Sequence, residues 1–309
     1  MKNTVREINL KANKKPEKFI AESELEYVFE IGEIADRISN DRRIKIVAIA
    51  GPSASGKTTS AHILCDRLKE LGEETTVVSL DNFYLTPDKL PILPDGKTDI
   101  ESVNALDIEL MKKCFNEIIT TGSTMLPFYD FKTNSRKPNA IKADVTDGGI
   151  VIVEGLHALN PVITNLVPAE NIYKIYISVN CPILDDDGKR ILSSRQIRLV
   201  RRTLRDRIFR GASVNDTLSL WSGVVEGETK YLYCFKDTAD VLLKTLHLYE
   251  PCLYRREFTA LKYELKSRGE FYDYFLKTAD ALEQFTPLDS ALIPENSLIR
   301  EFIGGGKYN

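Results

Sequence analysis

The sequence predicts an α/β fold: a mainly parallel sheet covered by helices on both faces, with an inserted hairpin or arm and extra helices at both ends. Three observations predict it. Short runs rich in β-branched residues alternate with stretches whose apolar positions recur at helical spacing, the pattern of strand-helix-strand units. Those runs are nearly continuous in apolar residues, as strands buried on both faces require. The first of them enters a glycine-rich turn that opens directly into a helical stretch, so strand, turn and helix follow without a linker.

Taken in order, residues 1–21 are polar and lysine-rich and are expected to form a loosely held arm. Over residues 23–40, Leu25, Val28, Phe29, Ile31, Ile34, Ala35 and Ile38 recur at helical spacing and predict an amphipathic helix that packs on something. Residues 44–50 read as the first core strand, 57–71 as a helix stopped by Gly72, and 75–80 as a second buried strand. The alternation continues with a helix over 105–120, strands over 150–154 and 172–179, an arginine-rich helix over 193–210 and a strand near 239–244. Two segments interrupt it. Residues 85–104 carry Pro87, Pro91, Pro94 and the Asp95-Gly96 pair and form a loop, while 124–142 read as a short hairpin or arm. Long loops at strand ends are where substrates are usually held. After about residue 246 the chain turns helical again over 253–265, 271–285 and 297–303, then reaches Gly304-Gly305-Gly306. The expected organisation is an N-terminal arm and helix (1–43), a core (44–245) with a lid helix at about 193–210, and a C-terminal helical extension (246–309).

Composition narrows the function. Of 309 residues, 43% are hydrophobic and 28% charged, enough for one large core with appended helices. The 42 basic and 45 acidic residues leave a formal charge of -3, so attraction for phosphates must come from local clusters, and a nucleic-acid partner is not expected. Cys65, Cys114, Cys181, Cys234 and Cys252 are widely spaced, odd in number and without a Cys-x-x-Cys pair, which suits reduced thiols. The N-terminus lacks the apolar run of a signal peptide, and no stretch approaches the roughly 20 apolar residues of a membrane span. A cytoplasmic protein without a membrane partner is expected.

Gly51-Pro52-Ser53-Ala54-Ser55-Gly56-Lys57-Thr58 fits the pattern Gly-x-x-x-x-Gly-Lys-Ser/Thr of a phosphate-binding loop, and it stands directly between a strand and a helix, where that chemistry requires it. The glycines let backbone N–H groups converge on phosphate oxygens, the helix N-terminus adds partial positive charge, Lys57 reaches the outer phosphates and the Thr58 hydroxyl is placed to ligate Mg2+. Residues 51 and 53–59, that is Gly51, Ser53, Ala54, Ser55, Gly56, Lys57, Thr58 and Thr59, are the expected ATP cradle. No Asn-Lys-x-Asp motif of a GTPase is present, and the strand over 150–154 ends in one carboxylate rather than the paired Asp-Glu common in motor ATPases.

Two carboxylates and one arginine cluster complete the candidate chemistry. Asp81 follows the second strand and is expected at the sheet's carboxyl edge, where it would orient a hydroxyl and take its proton, or else serve as a cap or turn residue. Glu154 ends a buried strand and requires a cation, either Mg2+ or a salt-bridge partner. The segment 195–211 is the strongest charge cluster; as a helix it places Arg198, Arg201, Arg202 and Arg205 on one side, beside an apolar stripe of Ile197, Val200, Leu204 and Ile208. Such a helix would neutralise charge on a transferred phosphoryl group, present a solvated basic face, or bind nucleic acid.

Gly-Pro-Ser-Ala-Ser-Gly-Lys-Thr at 51–58, Asp81-Asn-Phe-Tyr84, Tyr129-Asp-Phe131, Val153-Glu-Gly-Leu-His157 and Arg201-Arg-Thr-Leu-Arg-Asp206, in that order, resemble the uridine kinase and phosphoribulokinase family, whose fold is that of P-loop NTPases. The likeness spans about 44–245. With Leu156-His-Ala-Leu-Asn-Pro161 and the closing Ile-Arg-Glu-Phe-Ile-Gly-Gly segment, it is closest to uridine-kinase-like bacterial proteins often fused behind a TGS-type domain, and no segment here is expected to form that upstream domain. The resemblance implies ATP at 51–58, Asp81 as general base, Glu154 serving magnesium, and Arg202 and Arg205 acting from a lid, with Lys57 also catalytic. It implies Tyr84 and Tyr129 at the nucleoside, Glu101 at sugar hydroxyls, and Asn134 and Arg202 on the acceptor side. The departures are there too. Uridine kinases carry Phe-Asp-His-Pro where this chain has Ile100-Glu101-Ser102-Val103, a histidine where it has Asn134, and an arginine where it has Ala212. The expected activity is transfer of the γ-phosphoryl of Mg-ATP to a nucleoside 5′-hydroxyl. The alternatives are a kinase of another sugar, sugar phosphate or polyol, or a nucleotide-binding regulatory protein; the terminal helices cap the core or form a homo-oligomer interface.

Overall fold

The computed structural model describes residues 3–94, 96–145, 148–180, 183–266, 269 and 271–308; Asp95 of the expected turn and Cys181 lie outside them. Two helices precede the core, α1 (Val5–Lys14) and α2 (Pro16–Asn40). The N-terminal segment is thus helical rather than the loosely held arm its lysines suggested. Thr4 caps α1 by accepting the Glu7 N–H, Pro16 fills the first turn of α2, and Ile8, Ala12, Phe19 and Ile20 are buried. A few apolar side chains at helical spacing suffice to dock the segment while the lysine heads stay in water. The inward face of α2 also differs from expectation. Tyr27, Ile31, Ile34, Ala35 and Ile38 are buried, whereas Leu25 and Phe29 are 67% and 69% exposed and Val28 is exposed with them.

The core begins with β1 (Ile46–Ala50), α3 (Lys57–Glu70) and β2 (Thr75–Ser79), followed by α4 (Ile108–Thr121) and the antiparallel hairpin β3 (Ser123–Asp130) and β4 (Ser135–Asp144). Next come β5 (Ile150–Glu154), the short α5 (Pro161–Thr164) and β6 (Ile172–Ser178), then a small hairpin of β7 (Ile183–Leu184) and β8 (Arg190–Leu192). The arginine helix α6 (Ser194–Arg205) is followed by α7 (Val214–Tyr231) and β9 (Val241–Lys244). The extension contains α8 (Glu250–Ala260), α9 (Tyr272–Leu282) and α10 (Arg300–Ile303). The eighteen-residue α7 and the small hairpin are absent from the sequence-based expectation.

The five core strands lie in the order β2-β5-β1-β6-β9, and every neighbouring pair is parallel. Successive side chains of a strand point to opposite faces. Val47 and Ile49 of β1 therefore join the larger core with α2, α3 and α8, while Ile46, Ala48 and Ala50 join a second core with α4 and the β3–β4 hairpin. This two-sided burial explains why the strands read as apolar runs without alternation. From β1 the chain passes to β2 on one side, and after β5 it crosses to β6 on the other. Such a reversal opens a crevice at the carboxyl end of the central strand, and the glycine-rich turn of residues 51–56 occupies that end of β1.

Candidate active site

The turn after β1 is shaped by residues that tolerate unusual backbone and close contact. Ala54 and Gly56 have φ of 57° and 90°, and Gly56 is the N-cap of α3. A Cβ at Gly51 would fall 3.0 Å from the Ile177 carbonyl, which leaves no room for a side chain where the loop crosses β6. The first turn of α3 presents N–H groups without intrahelical partners at the positive end of the helix. The Ser55 hydroxyl is buried without a hydrogen-bond partner among the described residues, and the Lys57 amine folds back to donate to the Pro52 carbonyl at 3.2 Å. An anion on this turn would satisfy those groups, so the residues fit a nucleotide's phosphates.

Beside the loop, the exposed Thr58 hydroxyl donates to Glu154 Oε1 at 3.3 Å. Glu154 is buried, and burial, reinforced by the charge of Asp81 and only partly offset by Lys57, raises its carboxyl above the usual carboxylate range. A carboxyl in that condition lacks a cation, and a divalent ion bound through the Thr58 hydroxyl and Glu154 would supply one. Among the described residues no group of three or more His, Cys, Asp or Glu side chains is set to hold a metal. Mg2+ itself commonly takes one or two protein ligands and completes its shell with phosphates and water.

Asp81 stands in the 3-10 turn Leu80–Phe83 at the end of β2. Of its two alternative roles, turn residue describes where it stands and helix cap does not: among the described residues its carboxylate accepts no hydrogen bond, and the caps of α4, α6 and α7 are Asp107, Ser193 and Ser213. Its charge bears on Glu154, Tyr84, Glu101 and His157, which places it in their midst. Glu101, from the 85–104 loop, is pushed up to about 7, first by burial and then by Glu228 and Asp81, against the pull of Arg202 and Lys57. Its side chain lies against α7 at Gly227, where an added Cβ would come 2.3 Å from the Glu101 Cβ. The loop is fastened to the same helix through Asp99, which accepts a hydrogen bond from the Tyr231 hydroxyl and lies 3.6 Å from Lys230.

An aromatic wall adjoins the carboxylates. The rings of Tyr84 and Tyr129 are 5.7 Å apart, Phe131 lies 4.9 Å from Tyr129, and the Arg210 guanidinium stands 4.9 Å over Phe131. Asn82 Oδ1 accepts the Tyr129 N–H at 3.3 Å and so ties the hairpin to the Asp81 turn. Asn134 is not part of this wall. It is exposed at the β3–β4 turn with φ of 48°, a left-handed conformation that asparagine tolerates better than most residues.

The arginines of α6 divide differently from the single lid face expected. Arg198 and Arg201 are buried braces beneath the loop. Arg198 pairs bidentately with Glu228 at 2.5 and 2.8 Å and donates to the Ser53 carbonyl at 3.1 Å, while Glu228 Oε1 accepts the Ser53 N–H at 2.9 Å. Arg201, wholly buried, pairs with Glu250 at 2.7 Å and reaches the Ala54 and Ser55 carbonyls at 3.4 and 3.3 Å. Among the described residues Arg202 is the one of the four that donates to a side chain of the loop, the Ser53 hydroxyl at 2.7 Å, and its charge also acts on Glu101. Arg205 is held on Asp206 at 2.7 Å, in a group with Arg202 and Arg210 rather than on the loop. Ile208 is half exposed, so the apolar stripe ends at Leu204.

Sequence reasoning missed Glu228, Glu250, Thr245, Gly227 and Arg210 as parts of this site. Thr245 donates to the Ser55 carbonyl at 2.6 Å from the end of β9. Only Arg210, seated in the recognised basic segment, carried a signal; the others become visible once α7, α8 and β9 are folded against the loop.

Comparison with known proteins finds relatives over the core of the chain. The profile of the Phosphoribulokinase / Uridine kinase family matches residues 46–181. A uridine kinase of Lactobacillus helveticus is 30% identical over 182 residues, covering 59% of this chain and 76% of that one. A uridine kinase of Clostridium novyi is 28% identical over 200 residues, covering 64% and 86% of the two chains. Among solved structures, phosphoribulokinase from Rhodobacter spheroides aligns with a TM-score of 0.43 at 15% identity, over 67% of this chain and 73% of that one.

Proposed function

The chain belongs to the phosphoribulokinase / uridine kinase family, and on that premise we propose that it transfers the γ-phosphoryl group of Mg-ATP to the 5′-hydroxyl of a nucleoside. Membership makes it a phosphotransferase with an alcohol acceptor. The observation that carries the finer reading is Asp81: a carboxylate without a hydrogen-bond partner among the described residues, set among Glu154, Glu101 and Tyr84 beside the phosphate loop. In that place a carboxylate accepts the acceptor's hydroxyl proton and aims its oxygen.

The remaining residues divide the work. The 51–58 turn with Lys57 and Arg202 would grip the phosphates and neutralise charge on the group in transfer. Thr58 and Glu154 would hold Mg2+, whose chemistry is to screen the phosphate oxygens from each other. Glu101 would accept hydrogen bonds from sugar hydroxyls, and the Tyr84, Tyr129 and Phe131 wall would exclude water and flank the base.

The test is ADP release from Mg-ATP with a panel of nucleosides, free sugars, sugar phosphates and polyols. The proposal expects a nucleoside to give the highest kcat/KM. Preference for a sugar, sugar phosphate or polyol would move the acceptor assignment, and the absence of acceptor-dependent release across the panel would leave a nucleotide-binding protein in its place.

A further inference from the structure

Glu301, in α10, lies well beyond the residues matched to the family, yet its carboxylate sits on the first turn of α3. Oε2 accepts the Thr59 hydroxyl at 2.6 Å and the Thr59 N–H at 3.4 Å. Thr59 is buried and third in the helix, so its N–H is one of those that α3 itself cannot satisfy.

The contact is held in place by an anchored backbone. Leu298, Ile299 and Phe302 are fully buried, the Leu298 side chain closes on Gly56, and the Phe302 ring lies 4.8 Å from the Arg201 guanidinium. Beyond α10, Gly304 and Gly305 adopt positive φ of 81° and 70° and turn the chain so that Lys307 and Tyr308 reach Asp66 on α3 at 2.6 and 2.9 Å. The segment is fastened on both sides of it, so rotation about the bonds of the partly exposed Glu301 side chain would take its carboxylate off Thr59 without moving α10.

Thr59 and its neighbours are donors that a nucleotide's phosphates also seek, and a carboxylate fixed beside them repels a phosphate. We propose that Glu301 is an affinity-determining residue of the nucleotide site: a tethered carboxylate that competes with the nucleotide's phosphates for Thr59 and swings aside when they bind. The inference rests on the nucleotide-binding role of residues 51–58 and extends it by giving the C-terminal extension a part in that site.

Calorimetric titration of the full chain with Mg-ADP tests it, comparing wild type, Glu301→Gln and the exposed-site control Glu257→Gln. Glutamine keeps the shape and an acceptor for the Thr59 hydroxyl but removes the charge. Glu301→Gln is expected to lower Kd by roughly 5-fold or more, the control to leave it unchanged, and the gap to narrow as KCl rises. If Glu301→Gln fails to fold, Glu301→Ala carries the same expectation. Unchanged or weaker binding in the Glu301 variant, with wild type binding normally, means that Glu301 only positions Thr59 and overturns the inference alone. No binding to any of these proteins overturns the nucleotide assignment, and the inference with it.

Discussion

Glu101 is the residue proposed to meet the acceptor's sugar hydroxyls. Its carboxyl is raised to about 7, chiefly by burial, against an ordinary value of 4.5, so the native protein holds a proton there that the unfolded chain has already released. Stability from this group is therefore present at pH 5 and lost as pH rises through about 7. His157, lowered to about 4 by burial, acts in the opposite sense below 6.5, so the Glu101 contribution is best read as a difference between proteins. In ligand-free thermal unfolding at pH 5, 6.5 and 8, wild type should lose stability relative to Glu101→Gln as pH rises. A pH-independent difference would contradict the assignment. Gly227 is the companion residue: Gly227→Ala places a methyl group against the Glu101 Cβ. Acceptor KM should then rise roughly 10-fold or more, because small displacements of a positioned group are costly, while the Kd for ADP stays within about two-fold. Equal losses in both would mean a general collapse of the site.

At the scale of elements, α6 and α7 hold the phosphate loop through buried ion pairs, so the braces beneath the loop are charged rather than apolar. Removing one partner strands the other in a dry interior. Glu228→Ala, which uncouples Arg198 and frees the Ser53 N–H, should cost about 3–5 kcal/mol in urea unfolding and weaken ADP binding as well. A loss under about 1 kcal/mol would show the pair to be dispensable. This arrangement also marks how far the sequence could be followed. The strand before the loop, the helix after it, the Asp81 turn and the strand ending in Glu154 were legible because each is local: an apolar run, a turn motif, a carboxylate at a strand end. The division of α6 was not, since Arg198 and Arg201 differ from Arg202 only in what α7, α8 and β9 bring against them. The 18-residue α7 was itself obscured by a mixed pattern, with Gly223 and Gly227 inside it and Leu220 exposed. The N-terminal helices were obscured by lysines whose charge says little about the buried side of a helix.

Over the whole molecule, the helices on either side of the matched kinase region share its larger core. Phe19, Ile31, Phe258, Phe275, Phe285 and Phe302 all belong to the cluster that includes Val47 and Ile49 of the central strand. Phe302→Ala should cost about 3–5 kcal/mol and shift a single unfolding transition, since among the described residues these buried side chains of the extension lie in the core shared with the sheet. Two separated transitions would contradict that.

The proposed phosphoryl transfer depends on Asp81 preparing an alcohol for attack beside the phosphate loop. The direct measurement is kcat for wild type and Asp81→Asn with the acceptor that gives the fastest turnover, alongside Kd for Mg-ADP. A fall in kcat of about 100-fold or more with ADP affinity unchanged is the predicted result; turnover by Asp81→Asn within a few-fold of wild type contradicts it.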